Sequence, residues 1–123
     1  INGCSVTRSV LCDGSIITGA KISDSIVGIR AIAQTGTTIE RSIIMGANRF
    51  EPLAETSSHA VKTGIGRDCA IRNAIIDFNA RIGEGCKLLN EQKIDEAETE
   101  NYSIRGGIIV VPKNAELPPG TVI

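Results

Sequence analysis

Residues 6–26 read VTRSVLCDGSIITGAKISDSI, and in them Val6, Val10, Ile16, Ile22 and Ile26 recur at steps of 4, 6, 6 and 4. An amphipathic helix needs steps near 3.6 and a half-buried strand needs steps near 2, so neither ordinary period fits. A step of six suits a strand of a few residues followed by a corner, repeated around a coil. Steps of 4, 6 and 6 predict a turn of about 16 residues. The chain reads as an all-β solenoid.

The rhythm continues outward from that stretch. Ala33, Ile39 and Ile43 follow with the first step stretched to 7, then Ile65, Ile71, Ile76, Ile82 and Leu88 at steps of 6, 5, 6 and 6. Val111, Leu117 and Ile123 close it at two steps of 6. Composition agrees: Phe50, Phe78 and Tyr102 are the only aromatics and there is no Trp, as expected of a narrow coil filled by stacked aliphatics. Gly14, Gly19, Gly36, Gly66 and Gly83 fall where corners are expected to need positive φ. The competing fold, an antiparallel sandwich, predicts period-2 alternation that these segments lack.

At 123 residues the chain is expected to form one domain, 1–123, interrupted by loops at 45–63 and 90–103. Because it begins at Ile1 instead of Met, it reads as a piece of something longer. The first interruption holds Pro52 and His59. The second is acidic and rich in helix formers, which predicts a short exposed helix or loop with Asn90 as its N-cap. A net charge of −1 gives no bulk attraction to nucleic acid or to anionic membranes, and no apolar run approaches 18 residues. Cys4, Cys12, Cys69 and Cys86 lack metal-ligand spacing, so they are expected to be small fillers in a reduced, cytoplasmic setting. No metal site is predicted. Gly64-Ile65-Gly66 and Gly83-Glu84-Gly85 do not continue into a phosphate-cradling loop.

Particular strings carry a resemblance. Ser25-Ile26-Val27-Gly28-Ile29-Arg30, Ile43-Ile44-Met45-Gly46-Ala47-Asn48, Ala74-Ile75-Ile76-Asp77 and Asn79-Ala80-Arg81-Ile82-Gly83 occur in order along the chain. They are followed by Ser103-Ile104-Arg105-Gly106-Gly107-Ile108-Ile109-Val110-Val111-Pro112-Lys113-Asn114 and Gly120-Thr121-Val122-Ile123. Together these resemble the carboxyl-terminal domain of the ADP-glucose pyrophosphorylase (glucose-1-phosphate adenylyltransferase) family, over nearly the whole chain.

The resemblance implies a left-handed parallel β-helix of hexapeptide repeats. It implies that the parent makes ADP-glucose and pyrophosphate from ATP and glucose 1-phosphate, in glycogen or starch synthesis, in an amino-terminal catalytic domain that uses Mg²⁺. This piece is then a non-catalytic regulatory and assembly domain, with no catalytic residue of its own. Its implied partners are its own amino-terminal catalytic domain, a second β-helix in a dimer, further subunits in a tetrameric parent, and an anionic sugar-phosphate effector. Bacterial cytoplasm or plant plastid stroma is the implied location.

Lys113 falls on the family's terminal effector-binding lysine, and the family's second such lysine is replaced by Phe78. Arg30, Arg67, Arg72 and Arg81 are weaker candidates for the same role. Two alternatives stand beside this reading. One is a stand-alone hexapeptide acyltransferase using His59; the other is a purely structural solenoid.

Overall fold

The computed structural model describes residues 3–47 and 63–123. Its short strands stack into three sheets that form the faces of a triangular prism. The first face runs β1 (Ser5–Thr7), β4 (Lys21–Ser23), β7 (Thr38–Glu40), β10 (Ala70–Arg72) and β13 (Lys87–Leu88). The second holds β2 (Val10–Leu11), β5 (Ile26–Val27), β8 (Ile43–Ile44), β11 (Ala74–Ile76) and β16 (Ile108–Val111). It is extended by β15 (Ser103–Arg105) and β14 (Glu96–Glu98). The third holds β3 (Ile16–Ile17), β6 (Ile32–Ala33), β9 (Gly64–Ile65), β12 (Arg81–Ile82) and β17 (Glu116–Leu117). Every strand pairs in parallel with its counterpart one turn away, apart from the antiparallel additions of β14 and β15.

Each face sends one aliphatic per turn inward. Ile22, Ile39, Ile71 and Leu88 line the first face, Val27, Ile44, Ile76 and Val111 the second, and Ile17, Ala33, Ile65, Ile82 and Leu117 the third; all are buried. Ile22 to Ile39 and Ile71 to Leu88 are each 17 residues, whereas Ile17 to Ala33 is 16. The inward rhythm is therefore 5, 6 and 6 rather than 4, 6 and 6 over most turns.

Val6, Val10, Ile16, Ile26 and Ile43, which the shorter rhythm places inside, are between 38% and 57% exposed. Their neighbours Ile17, Val27 and Ile44 are the buried members of each aliphatic doublet. Successive strand side chains point to opposite faces, so reading a doublet one residue early puts the wrong member in the core.

The corners are specified in two ways. Gly14, Gly19 and Gly36 have the expected positive φ of +75°, +60° and +82°. Gly66 and Gly83 do not: a Cβ there would lie 2.7 Å from the Glu84 nitrogen and 2.5 Å from the Pro119 nitrogen, so they are glycines because adjacent coils touch. At the edge joining the first and second faces, the left-handed corner is filled by Arg8, Asp24, Arg41 and Asn73, with φ from +46° to +51°. Their side chains pair along the edge, Arg8 Nε with Asp24 Oδ1 at 2.6 Å and Arg41 Nε donating to Asn73 Oδ1 at 3.1 Å.

Serines beside that edge bind successive coils. Ser25 donates its hydroxyl to the Ser23 carbonyl (2.7 Å) and accepts from the Ser42 amide (3.1 Å). Ser42 repeats the pattern with the Glu40 carbonyl (2.7 Å) and the Ala74 amide (3.2 Å). Ala74 is itself buried. Ser42→Ala is therefore expected to strand that amide and destabilise the fold by about 1–3 kcal/mol in urea unfolding.

The cysteines fill narrow positions. All four are free thiols; Cys69 and Cys86 are buried, and Cys4 and Cys12 half-buried. Cys69 donates to the Gly83 carbonyl at 3.2 Å and Cys86 to the Pro118 carbonyl at 3.3 Å, in the manner of the Thr37 hydroxyl on Gly66 (2.7 Å). Burial pushes the Cys69 thiol up to about 11, from an ordinary 9.0. Only the thiolate reacts, so iodoacetamide is expected to modify the half-buried pair while Cys69 stays protected until unfolding. Between pH 9 and 11 the unfolded chain loses the Cys69 proton first, so stability is expected to fall as pH rises through that window.

The acidic stretch is not helical. Of the helix or loop expected over 90–103, the structure shows turns followed by β14, which pairs with β15 as an antiparallel hairpin on the end of the second face. Ala97 packs toward the core between outward Glu96 and Glu98, so strand alternation overrides helix propensity here. Arg105, one strand away, sits 3.8 Å from both carboxylates. Asn90 caps no helix: its Oδ1 accepts from the Ile94 amide (3.0 Å), and its Nδ2 donates to the Ile94 (2.9 Å) and Gly107 (3.2 Å) carbonyls. It staples the start of the insertion to its last turn, Gly106-Gly107, where both φ values are positive as a two-residue hairpin requires. Most of the interruption expected at 45–63, with Pro52 and His59, lies outside the described residues.

Candidate functional site

The edge joining the second and third faces carries Lys113 and Phe78. Backbone bonds run along it from the Arg30 amide to Asp13 (3.1 Å), Ala47 to Ile29 (3.0 Å), Asn79 to Gly46 (3.0 Å) and Asn114 to Phe78 (3.0 Å). That pattern places Asp13, Ile29, Gly46, Phe78 and Lys113 in one column, with a rise of about 4.8 Å per coil. Phe78 and Lys113 are thus neighbours, 35 residues apart in sequence and one coil apart in space.

The local geometry holds both in place. Asn79 and Asn114 take the left-handed corner conformation at φ +59° and +62°, which turns the chain sharply just after Phe78 and Lys113. The Phe78 amide donates to Asp77 Oδ1 at 2.7 Å, fixing the turn that carries the ring. Phe78 is half-buried and Lys113 exposed. Among the described residues the Lys113 ammonium has no hydrogen bond or ion pair. An unpaired ammonium on a corner set by backbone bonds is suited to an anionic ligand.

The four arginines do not converge on Lys113. Arg30 lies on the same edge three coils away, about 14 Å along the axis, and its Nε donates to the Ala47 carbonyl at 3.0 Å. Arg81 stands on β12 opposite Glu116 of β17, just beyond that edge. Arg72 is at the end of β10, 3.6 Å from Glu40, by the edge between the first and second faces. Arg67 occupies the third edge, in a groove with Gln34, Glu84 and Pro119. No cluster of three or more metal-ligating side chains occurs among the described residues. His59 lies outside them.

A feature that the inward rhythm hid is the outer surface of the second face. Val10, Ile26, Ile43, Ile75 and Val110 stand in register on successive strands, the first three exposed and the others half-buried. Ile29 and Met45, also exposed, continue the patch round the corner. The doublets Ile26-Val27, Ile43-Ile44, Ile75-Ile76 and Val110-Val111 were the available signal, since a strand with aliphatics at consecutive positions is apolar on both sides.

Two comparisons bear on what this scaffold serves. A family model, the GLGC left-handed parallel beta-helix domain, matches residues 1–122. The small subunit of glucose-1-phosphate adenylyltransferase from Zea mays is 44% identical over 128 aligned residues, which cover 96% of this chain and all of that sequence.

Proposed function

The chain belongs to the GLGC left-handed parallel β-helix domain family, and from that premise we propose that it is the regulatory and assembly domain of a glucose-1-phosphate adenylyltransferase. In this role it makes no bonds itself. It braces an amino-terminal catalytic domain, which holds the Mg²⁺ and transfers the adenylyl group, and it joins subunits into a dimer of β-helices within a tetramer. Bacterial cytoplasm or plastid stroma is the compartment that fits, the latter in keeping with the maize relative. Both comparisons favour this reading over acyl transfer at His59.

The observation that carries the bracing role is the aliphatic ladder Val10-Ile26-Ile43-Ile75-Val110 on the outside of the second face. A contiguous apolar sheet face of this kind marks a surface that is covered in the working protein. A catalytic domain in the same chain is the occupant that the family reading supplies. Replacing both Ile26 and Ile43 with Glu in the full-length subunit tests it. These side chains are exposed, so the β-helix itself is expected to fold while activity and tetramer content drop at least tenfold, read by product formation and light scattering. A fully active tetramer carrying both charges defeats the bracing role.

The regulatory role rests on Lys113 as an effector contact, with Phe78 beside it in place of a second cation. Arg30, Arg67, Arg72 and Arg81 contribute less, because they are spread over three edges of the prism.

A further inference from the structure

We propose that the cleft between the 90–107 insertion and the edge joining the first and second faces binds a small phosphorylated sugar. The cleft has a volume of about 550 Å³ and brings together Arg41, Arg72 and Lys93, from three separate segments of the chain. Arg41 stands in the column of left-handed corners Arg8, Asp24, Arg41 and Asn73, with Asn90 next in register, at about 4.8 Å per coil. Asp24 is taken by Arg8 in two bonds of 2.6 and 3.1 Å, and the neighbour of Arg41 on the other side is the neutral Asn73. Arg41 therefore makes no ion pair among the described residues. Arg72 has one carboxylate near it, Glu40 at 3.6 Å. Lys93 is placed by its amide, which donates to the Asn90 carbonyl at 3.0 Å, and by the bond from the Gly107 amide to the Asp95 carbonyl (3.1 Å), which closes the insertion behind it. Its ammonium has no hydrogen bond or ion pair among the described residues.

The lining selects the chemistry of the ligand. Two guanidinium groups and an ammonium suit phosphate oxygens, which accept charge-assisted bonds from each. Glu91 and Asp95 line the insertion side, and ionised carboxylates accept from hydroxyl groups. A bare oxyanion would leave them facing a like charge, whereas a hydroxylated body on the phosphate uses them. Leu89 and Ile108 are the aliphatics of the lining and no aromatic ring belongs to it, so nothing there stacks a base. A Cβ on Gly106 or Gly107 would meet nothing within 4 Å, which leaves the cleft open beside the last turn of the insertion. Ala47 and Thr63, which border the segment 48–62, lie by a different edge of the prism, the one that carries Phe78 and Lys113.

Hydrogen exchange in the full-length subunit tests this, with D-glucose 6-phosphate as the probe and sulfate and D-glucose beside it. At about ten times its dissociation constant, the sugar phosphate is expected to slow exchange of the amides in 90–95 and 105–107 about tenfold. Sulfate is expected to protect them less, and glucose not at all. Lys93→Gln removes a side chain that holds nothing in the fold, and is expected to weaken the protecting ligand about tenfold. Arg41→Gln combined with Lys93→Gln is expected to abolish protection, while Lys113→Gln leaves it intact. Replacing Glu91 and Asp95 together with Gln is expected to bring the sugar phosphate down to the level of sulfate. Absent protection, an affinity unchanged in Lys93→Gln, or protection lost in Lys113→Gln overturns the site. Equal protection by sulfate in the unmodified protein overturns the sugar. Because the readout is exchange at the insertion, it stands apart from any failure of the catalytic-domain bracing or of the Lys113 contact.

Discussion

Gly28→Ala is expected to destabilise the β-helix by about 3 kcal/mol or more, at the upper end of what overpacking usually costs. The added Cβ would sit 2.1 Å from the Met45 carbonyl oxygen and 2.6 Å from its carbon, both backbone atoms of the next coil. Relief requires the two coils to separate there, which stretches the bond from Gly28 N to the Ile44 carbonyl (2.6 Å). Gly85→Ala provides the contrast. Its Cβ meets nothing within 4 Å, and the only cost is the left-handed backbone at φ +73°, about 1–2 kcal/mol. Urea denaturation of both variants distinguishes steric stacking from backbone preference; equal losses would show that the coils are not held at this spacing.

The second large effect is expected at the Phe78–Lys113 corner. In the full-length enzyme, Phe78→Lys places two ammonium groups on adjacent coils, and an anion that bridges them gains a further charge-assisted hydrogen bond. Such a bond contributes about 1.5–3 kcal/mol, so affinity for 3-phosphoglycerate is expected to rise about 10- to 150-fold. Lys113→Gln is expected to lower it over a similar range. Because salt screens the attraction between an exposed ammonium and the anion, the Phe78→Lys gain should shrink as ionic strength rises. Effector titration followed by product formation reads all three. An unchanged half-saturating concentration in Phe78→Lys would mean that the ring does not stand in an effector contact.

Much of the fold was legible because a β-helix is nearly one-dimensional. Each turn repeats the same requirement, one inward aliphatic per face and a tight corner, so the spacing from Ile65 through Ile71, Ile76 and Ile82 to Leu88 reports the coil directly. The same spacing misplaced Val10, Ile16, Ile26 and Ile43, because a doublet of aliphatics does not say which member points inward. The acidic segment was misread for a related reason. Residues 96–98 favour a helix locally, but β15 offers an open strand edge to pair with, and that offer is a property of the assembled sheet. Lys113 and Phe78 were singled out as candidates by the strings around them; that they share one column was not legible there.

The sequence alone determined the architecture, the register of most inward residues and the family, since these depend on repeated local spacing and on strings of adjacent residues. Tertiary structure decided which aliphatics form the outer ladder and why Gly66 and Gly83 lack side chains. It also decided how the cations divide among the edges of the prism and that Phe78 lies one coil from Lys113. These depend on distances between residues about 16 to 35 positions apart in the chain, and those distances exist only once the coils have stacked at about 4.8 Å.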